Sequence, residues 1–190
     1  MDALELLKTR KSVSSSFLAE PGPDEAALNE ILAIASRVPD HGKLAPWRFI
    51  LFEGEARARA GEALAALYRE QHPEAEEKKI EEERTRLAHA PVVVAVVSRA
   101  APHVKIPEFE QLLAAGNVAM NLILAAHALG FAAQWLTGWI AYDPEAGRLL
   151  GLEPGERFVG FIHIGTSTVP YQDRPRPNVA DLVTRWQAPA

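Results

Sequence analysis

The sequence predicts an α+β fold with about four strands and helices around them. An apolar, almost entirely β-branched run at residues 92–97 is typical of a strand buried on both faces. Segments with apolar residues at helical spacing lie on both sides of this run. The chain has 190 residues, 48% of them hydrophobic, and no internal repeat. It is therefore expected to form one domain over residues 1–190, or one lobe of an intertwined dimer.

The first half of the chain is expected to hold four helices and one strand. The helices are predicted from periodicity and from cap residues at 4–9, 24–37, 54–69 and 73–89. The strand at residues 48–52 alternates and contains β-branched side chains. Glu and Lys in residues 73–89 recur at spacings that support a solvent-exposed helix.

Residues 111–142 contain no Asp, Glu, Lys or Arg, so a transmembrane helix has to be considered. Polar side chains interrupt the run at Asn117, Asn121, His127 and Gln134. Gly130 is a typical helix stop before a new strand at residues 131–136, and a membrane span is therefore rejected. The remaining helix is predicted to be buried all round, with a partner subunit covering one side.

The last part of the chain is expected to contain a short helix, a strand and a tail. Asp143 and Pro144 provide the cap and first turn of a helix at residues 143–150. Residues 157–164 predict the last strand. The proline-containing segment 167–190 is expected to wrap a surface instead of entering the core.

Composition argues against several classes of function. A formal net charge of −5 disfavours nucleic-acid binding, because phosphate contacts need clustered, uncompensated Lys and Arg. The absence of cysteine excludes a disulfide, a thiolate nucleophile and a thiolate metal site. The first residues carry acids and lack the basic start of a signal peptide. A cytoplasmic protein that binds neither nucleic acid nor membrane is expected.

The loop at residues 39–46 is the strongest candidate for a ligand site. Pro39 and Pro46 fix the backbone, and Gly42 permits conformations that other residues resist. His41 and Lys43 offer hydrogen-bond donors to an electron-rich ligand. Because the loop runs directly into a strand, it could hold a planar ligand against the edge of a sheet.

Two basic segments each have two interpretations. Arg10-Lys11-Ser12 ends the first helix, where cations are favoured by the helix dipole. The alternative is an oxyanion clamp in which Arg supplies a fork of donors, Lys a point charge and Ser a hydroxyl. Arg174 and Arg176, held by Pro175 and Pro177, are either a solubilising tail or the second half of that clamp.

His41 has three interpretations: a general acid, a metal ligand or a side chain that fixes the loop. A metal is disfavoured, because only Asp40 is adjacent at ligand spacing. A hydrolase that uses Asp40 and His41 is a weaker alternative, because the sequence has no Gly-x-Ser-x-Gly nucleophile elbow. The Gly-x-Gly-x-x-Gly fingerprint of classical dinucleotide-binding folds is also missing. The segment 134–139 at a strand end has two interpretations. Thr137 and the main chain could contact the edge of a heterocycle, or Trp135 and Trp139 are core aromatics that flank a turn.

Together these segments resemble the nitroreductase family of FMN-dependent oxidoreductases, and most closely a short branch of that family. The resemblance covers nearly the whole chain and depends on the order and spacing of its segments. These are residues 2–7 with Arg10-Lys11-Ser12, Pro39-Asp40-His41 with Pro46-Trp47-Arg48-Phe49, Gly130-Phe131 with Trp135, and Gly160-Phe161 with Gly165-Thr166.

The resemblance implies a three-layer sandwich with a central mixed sheet of four to five strands, and an intertwined homodimer with FMN at the subunit interface. Hydride would pass from NADH or NADPH through FMN to a nitroaromatic, a quinone or a similar acceptor, with donor and acceptor alternating in one pocket. The implied cofactor-binding residues are Arg10, Lys11, Ser12, His41, Lys43, Ala45, Trp135, Leu136, Thr137, Arg174 and Arg176. No catalytic residue is assigned, because the cofactor performs the electron chemistry.

The chain departs from the family pattern in the loop. Many relatives have Asn in place of Lys43 and Gln in place of Ala45, so those side-chain contacts do not transfer unaltered. Lys43 is instead hypothesised to bond a flavin carbonyl and raise the potential of the cofactor. The alternative function is a flavin-binding or substrate-binding module without efficient NAD(P)H turnover.

Overall fold

The computed structural model describes residues 2–170 and 173–189 and has an α+β architecture. Its helices are α1 (Ala3–Thr9), α2 (Glu25–Ala35), α3 (Glu55–Gln71), α4 (Glu77–Thr85), α5 (Glu108–Ala128) and α6 (Pro144–Leu149). Its strands are β1 (Leu18–Ala19), β2 (Trp47–Glu53), β3 (Val92–Ser98), β4 (Ala132–Leu136) and β5 (Arg157–Ser167). The predicted strands and helices are thus present, with β1 as an addition that the sequence did not indicate.

Strand β3 is buried along its whole length, as its apolar sequence predicts. Alternate side chains of a strand point to opposite faces of the sheet. Accordingly, Val92, Val94 and Val96 belong to one apolar cluster, whereas Val93, Ala95 and Val97 belong to another. The strand therefore needs a helical layer on each side.

The two helical layers confirm the three-layer sandwich. One cluster packs side chains of α2 and α5 against the sheet, including Ile31 and Leu122. The other packs α3 and α6 against the opposite face, including Leu64 and Ala146. Helix α4 packs on α3 at the outside of this second layer.

The sheet has five strands, within the predicted number, but its pairing differs from the expectation. Every strand pairing among the described residues is antiparallel, so the expected mixed sheet is corrected to an antiparallel one. The order is β1-β5-β3-β2, and β4 also pairs with β5. Antiparallel strands can follow connections of any length, so sequence patterning alone did not fix their direction.

Strand β5 changes its register with β3 near Val159, where a bulge interrupts the pairing. The carbonyl of Val159 accepts a hydrogen bond of 3.2 Å from the indole Nε1 of Trp135 on β4. The indole lies so close to Gly160 that a Cβ there would overlap it. The bulge thus fixes the side chain of Trp135 at the strand end that the sequence singles out.

Helix α5 is long and apolar enough to cross a membrane by length and composition, but half of its most apolar window is buried within the protein. It packs against α2, β3, β4 and β5 as a core helix. The prediction that it is buried all round is wrong for a single protomer. Phe109, Leu113 and Met120 are exposed along one side.

Helix α4 also corrects an expectation. The predicted solvent-exposed helix over residues 73–89 is shorter, and Ile80 and Glu83 on it are fully buried. The charged pattern did not reveal this burial, because a Glu that is paired inside the protein looks the same in sequence as one in solvent.

The described part of the tail lies mostly at the surface of the protomer. Val169 packs against the small apolar cluster around Val13 and Leu18. Residues 173–189 are exposed and contain one short 3₁₀ turn, Val179–Leu182. Residues 171, 172 and 190 of the predicted tail lie outside the described residues.

Candidate functional site

The two basic segments of the sequence meet in the structure. Arg10, Lys11 and Ser12 line one cavity of about 110 Å³ together with Arg174 and Arg176. We call this cavity the basic pocket. The segments are separated by most of the chain, so the fold, and not local sequence, brings them together.

Helix α1 and the tail position the basic pocket. Arg10 caps the C-terminus of α1 and donates its N–H to the carbonyl of Leu6. The guanidinium of Arg176 lies 3.4 Å from the carbonyl of Arg10 and 2.6 Å from the carboxylate of Asp173. The tail is therefore attached directly to the residue that ends the first helix.

The electrostatics of the basic pocket favour an anion. Lys11 is only 7% exposed, and burial lowers the pKa of its ammonium, while Asp173 opposes that shift. The hydrogen bond from Arg176 lowers the pKa of Asp173 and keeps this carboxyl ionised. Four cations line the pocket, and among the described residues the carboxylate of Asp173 offsets only part of their charge. A bound anion would relieve the repulsion among the cations.

His127, which the sequence marks only as a polar interruption of an apolar helix, is a neighbour of the basic pocket. Burial, and then the positive charge of Arg10, lower the pKa of His127 to about 4, and the backbone of Lys11 hydrogen-bonds the ring. The imidazole is therefore neutral at physiological pH. Because His127 is on the last turn of α5, the basic pocket lies beside the C-terminal end of that helix.

The strand end at Trp135, Leu136 and Thr137 belongs to the same region of the protomer. Val13, directly after the basic triplet, donates its N–H to the carbonyl of Ala133 on β4 at 3.2 Å. Thr137 lies four residues further on, about 13 Å along an extended strand. All three residues are half-buried, so each keeps some surface for a ligand.

The loop at residues 39–46 has an unusual backbone. Gly42, Lys43 and Ala45 all have positive φ angles, of 76°, 56° and 45°. For Lys43 and Ala45 this left-handed conformation is strained, because the Cβ approaches the backbone. Such strain persists only where surrounding contacts hold it, and it is common at ligand sites.

Asp40 holds this backbone in place. Its carboxylate accepts the N–H groups of Leu44, at 3.2 Å, and of Ala45, at 2.8 Å. The carbonyl of Ala45 accepts the N–H of Trp47 at 2.7 Å. Both backbone groups of Ala45, through which the loop is expected to approach the implied cofactor, are thus already engaged within the loop. The sequence did not indicate this role of Asp40.

His41 lies far from the basic pocket within one protomer. Its Nδ1 is 2.7 Å from Oε2 of Glu110, on the first turn of α5. The basic pocket lies at His127, on the last turn of the same helix. Positions 110 and 127 are separated by about 25 Å along a helix axis. The structure therefore brings the two basic segments together, connects them to the strand that carries Trp135, and leaves the loop apart.

A buried charge cluster supports the turn that follows β4. Glu83 is fully buried and accepts hydrogen bonds from Arg86 at 2.5 and 2.7 Å and from the indole of Trp139 at 2.7 Å, with the ammonium of Lys79 at 3.0 Å. Gly138 has φ 77°, and a Cβ there would lie 3.0 Å from a guanidinium nitrogen of Arg86. The cluster thus fixes the turn directly after Thr137.

Comparison with known proteins identifies relatives of this chain. The family model described as Nitroreductase family matches residues 7–166. The protein named "Putative NAD(P)H nitroreductase YdjA" from Escherichia coli K12 is 37% identical over 169 residues, covering 87% of this chain and 88% of that protein. A "Putative NAD(P)H nitroreductase" from Haemophilus influenzae is 39% identical over 168 residues, covering 87% and 89%.

Solved structures show the same fold. A nitroreductase-like family protein from Bacillus cereus superposes with a TM-score of 0.83 at 23% identity, over 99% of this chain and 97% of that one. A protein from Desulfovibrio desulfuricans described as "a putative nitroreductase in complex with fmn" superposes with a TM-score of 0.75 at 22% identity, over 100% of this chain and 99% of that one. The predicted family resemblance and the predicted fold are confirmed.

The buried cluster generates a prediction about stability and pH. Burial alone would raise the pKa of Glu83, but hydrogen bonds from Arg86, Trp139 and Lys79 outweigh it and lower the pKa to about 2. The carboxylate therefore stabilises the fold fully above the unfolded pKa of 4.5, and this stabilisation is lost as pH falls towards 2. Glu83→Gln should lower the free energy of unfolding by about 3–5 kcal/mol at pH 7.

Urea denaturation at pH 7 and at pH 3 measures this effect, and the difference between wild type and Glu83→Gln should shrink at the lower pH. Glu81→Gln is the matched control on the same helix, because its carboxylate is about half exposed and pairs with Arg84. The control should change stability by less than about 1 kcal/mol. Equal effects of the two substitutions would contradict the role assigned to Glu83.

Proposed function

Because the chain belongs to the nitroreductase family, we propose that it is an FMN-dependent oxidoreductase that uses NADH or NADPH to reduce a nitroaromatic, a quinone or a similar acceptor. The observation that carries this proposal is the basic pocket, in which two distant segments of the chain meet. The proposal extends to residues 1–190 acting as one FMN-binding domain in the cytoplasm.

The basic pocket fits the phosphate of FMN. Three guanidinium groups and one ammonium provide charge-assisted donors, and Ser12 adds a hydroxyl. A volume of about 110 Å³ suits a group of that size and excludes the flavin ring. Arg10, Lys11, Ser12, Arg174 and Arg176 would therefore hold the phosphate.

The end of β4 would hold the flavin ring of FMN. Trp135, Leu136 and Thr137 follow on β4 from Ala133, which contacts Val13 beside the basic pocket. The indole of Trp135 already donates to Val159, so it would contribute apolar surface instead of a hydrogen bond. Thr137 and the main chain beside it would provide the polar contacts.

When bound, FMN would supply the two-electron carrier between NAD(P)H and the acceptor, which alternate in one pocket in a ping-pong cycle. The protein side chains orient the cofactor, exclude water and set its electrostatic surroundings. Lys43 is exposed at the loop, where its ammonium would stabilise negative charge on a flavin carbonyl. No protein nucleophile is needed.

The proposed site requires a second subunit. The loop that carries His41 lies at one end of α5, and the basic pocket lies at the other, about 25 Å away. Two copies of α5 packed antiparallel about a two-fold axis would place the loop of one protomer beside the basic pocket of the other. We therefore propose a homodimer in which each FMN contacts both chains.

The exposed side of α5 supports this arrangement. Phe109, Leu113, Gly116 and Met120 recur at helical spacing along one stripe. Phe109, Leu113 and Met120 are exposed, and a Cβ added to Gly116 would meet open space within the protomer. A small residue in an apolar stripe permits close approach of another helix. Helix α1, which packs on α5 and has no buried residue, also exposes Leu4 and Leu7.

The direct test of function is anaerobic reduction of the purified, FMN-loaded protein. Addition of NADH or NADPH should bleach the flavin absorbance, and a quinone or nitroaromatic should then restore it, because the two reactants alternate. Retained yellow colour with excess of both nicotinamides would favour the alternative, a flavin-binding module without turnover. A colourless preparation that binds no added FMN would overturn both.

Arg10→Ala tests the phosphate assignment. The substitution should raise the dissociation constant of FMN by at least about tenfold, because a charged phosphate oxygen loses a guanidinium donor. Riboflavin, which lacks the phosphate, should bind the variant and the wild type equally. Flavin fluorescence during titration measures both constants. Arg185→Ala, in the exposed tail, is the control and should leave FMN affinity unchanged.

Leu113→Glu tests the subunit arrangement. A charge in the apolar stripe of α5 should convert the dimer to monomers, because it would be buried without a partner between the two helices. Sedimentation velocity measures the mass of the assembly. The affinity for FMN should fall when the dimer is lost. Leu149→Glu, at an exposed apolar position on α6, is the control and should remain dimeric. A monomeric wild type that retains FMN would contradict the proposal.

A further inference from the structure

A second cavity, of about 270 Å³, lies beside the loop and away from the basic pocket. The loop contributes an apolar wall of Leu44, Ala45 and Pro46. The segment after β3 contributes Arg99, Pro102 and His103, and α5 contributes Gln111. We call it the loop cavity. Its residues belong to none of the motifs on which the family resemblance depends, apart from Pro46.

The walls of the loop cavity are fixed by hydrogen bonds. The N–H of Arg99 donates to the carbonyl of Pro46 at 2.9 Å, which extends the pairing of β2 with β3 by one step. The buried amide of Gln111 accepts the N–H of Ala101 at 3.1 Å and donates to its carbonyl at 2.8 Å. It also donates to the carbonyl of Ile106 at 3.3 Å. The segment after β3 is thus held against α5 before any ligand arrives.

The guanidinium of Arg99 has donors available for a ligand. The carboxylate beside it, Glu156, already receives two hydrogen bonds from Arg48, at 2.7 and 2.5 Å. Nε of Arg99 lies 3.7 Å from Glu156, too far for a hydrogen bond. Within residues 2–170 and 173–189, the guanidinium of Arg99 therefore forms an ion pair but donates no hydrogen bond.

His103 provides a second donor. Its Nδ1 accepts the N–H groups of Lys105, at 3.2 Å, and of Ile106, at 3.1 Å. A neutral imidazole that accepts through Nδ1 carries its proton on Nε2 and donates there. No residue that lines the cavity, among those described, carries a carboxylate. A fork of donors, a single donor and an apolar wall together suit a small planar anion.

We propose that the loop cavity binds the carboxylate of a small aromatic electron acceptor, and that Arg99 selects for its negative charge. The inference rests on the proposed function, because the cavity shares Ala45 with the loop that is expected to approach FMN of the partner subunit. An acceptor anchored at Arg99 would extend along the apolar wall towards that loop. The selected class is aromatic acids, in preference to their uncharged analogues.

Two acceptors that differ in charge at one end test the proposal: 4-nitrobenzoate and 4-nitrobenzamide. For each, kcat/KM is measured with FMN-loaded protein. The ratio of kcat/KM for 4-nitrobenzoate to kcat/KM for 4-nitrobenzamide should fall about tenfold in Arg99→Gln, because only 4-nitrobenzoate loses a charge-assisted hydrogen-bond pair. Arg99→Lys should give an intermediate ratio, because the charge is kept and the fork is lost.

Arg59→Gln is the matched control, because Arg59 is a similarly exposed arginine on α3, outside the cavity. It should leave the ratio unchanged. A ratio in Arg99→Gln equal to that of the wild type would overturn the proposal, and so would the same change in Arg59→Gln. Circular dichroism of each variant shows that the fold is retained.

Binding without turnover separates this proposal from the proposed function. Calorimetric titration of the FMN-loaded protein with benzoate should give a dissociation constant that rises about tenfold in Arg99→Gln. If this holds while nicotinamides fail to reduce the flavin, the loop cavity is an anion site and the reductase assignment fails. If turnover occurs but benzoate binding does not depend on Arg99, the reductase stands and the loop cavity does not.

Discussion

The burial of β3 on both faces is the constraint on which the rest of the structure depends. A strand of six consecutive apolar residues cannot leave either face in water, so each face has to be covered by helices. This requirement places α2 and α5 on one side and α3 and α6 on the other. It also keeps β3 inside the sheet, between β2 and β5, and β5 in turn carries β4. The strand end with Trp135 is thus positioned by an apolar segment that contacts no ligand itself.

Helix α5 then determines how the site is divided. Its length separates Glu110, which contacts the loop, from His127, which contacts the basic pocket. A ligand that needs both ends cannot be held by one copy of a straight helix of this length. The same helix exposes an apolar stripe instead of a charged one. One element therefore accounts for both the separation of the site residues within a protomer and the surface through which a second copy could reunite them.

Much of the fold could be predicted from the sequence, because strands and helices leave periodic patterns that are local. The positions of β2, β3, β4, β5 and α5 all follow from such patterns. The direction of the strands and the burial of Glu83 did not. Glu83 meets Trp139, which lies 56 residues later in the chain, and its neighbours on α4 are ordinary exposed charges. Of the site residues, Arg10 and Arg174 are joined by the sequence only as one of two interpretations of the basic segments, and the fold is needed to bring them together. Asp40 and His127 were missed because their roles depend on contacts that no spacing encodes.

The loop connects the residues that are expected to approach the cofactor with the loop cavity. The left-handed backbone conformation at Lys43 and Ala45 is unfavourable. Its free-energy cost is about 1 kcal/mol or more at each residue. The carboxylate of Asp40 offsets this cost by accepting two N–H groups that would otherwise point away from any partner. Pro46 then connects the strained turn to Arg99 through a main-chain hydrogen bond. A shape imposed on the loop by Asp40 is thereby transmitted to the wall that carries Arg99. The residues that would approach the cofactor and those that would choose the acceptor are therefore connected by a short chain of hydrogen bonds.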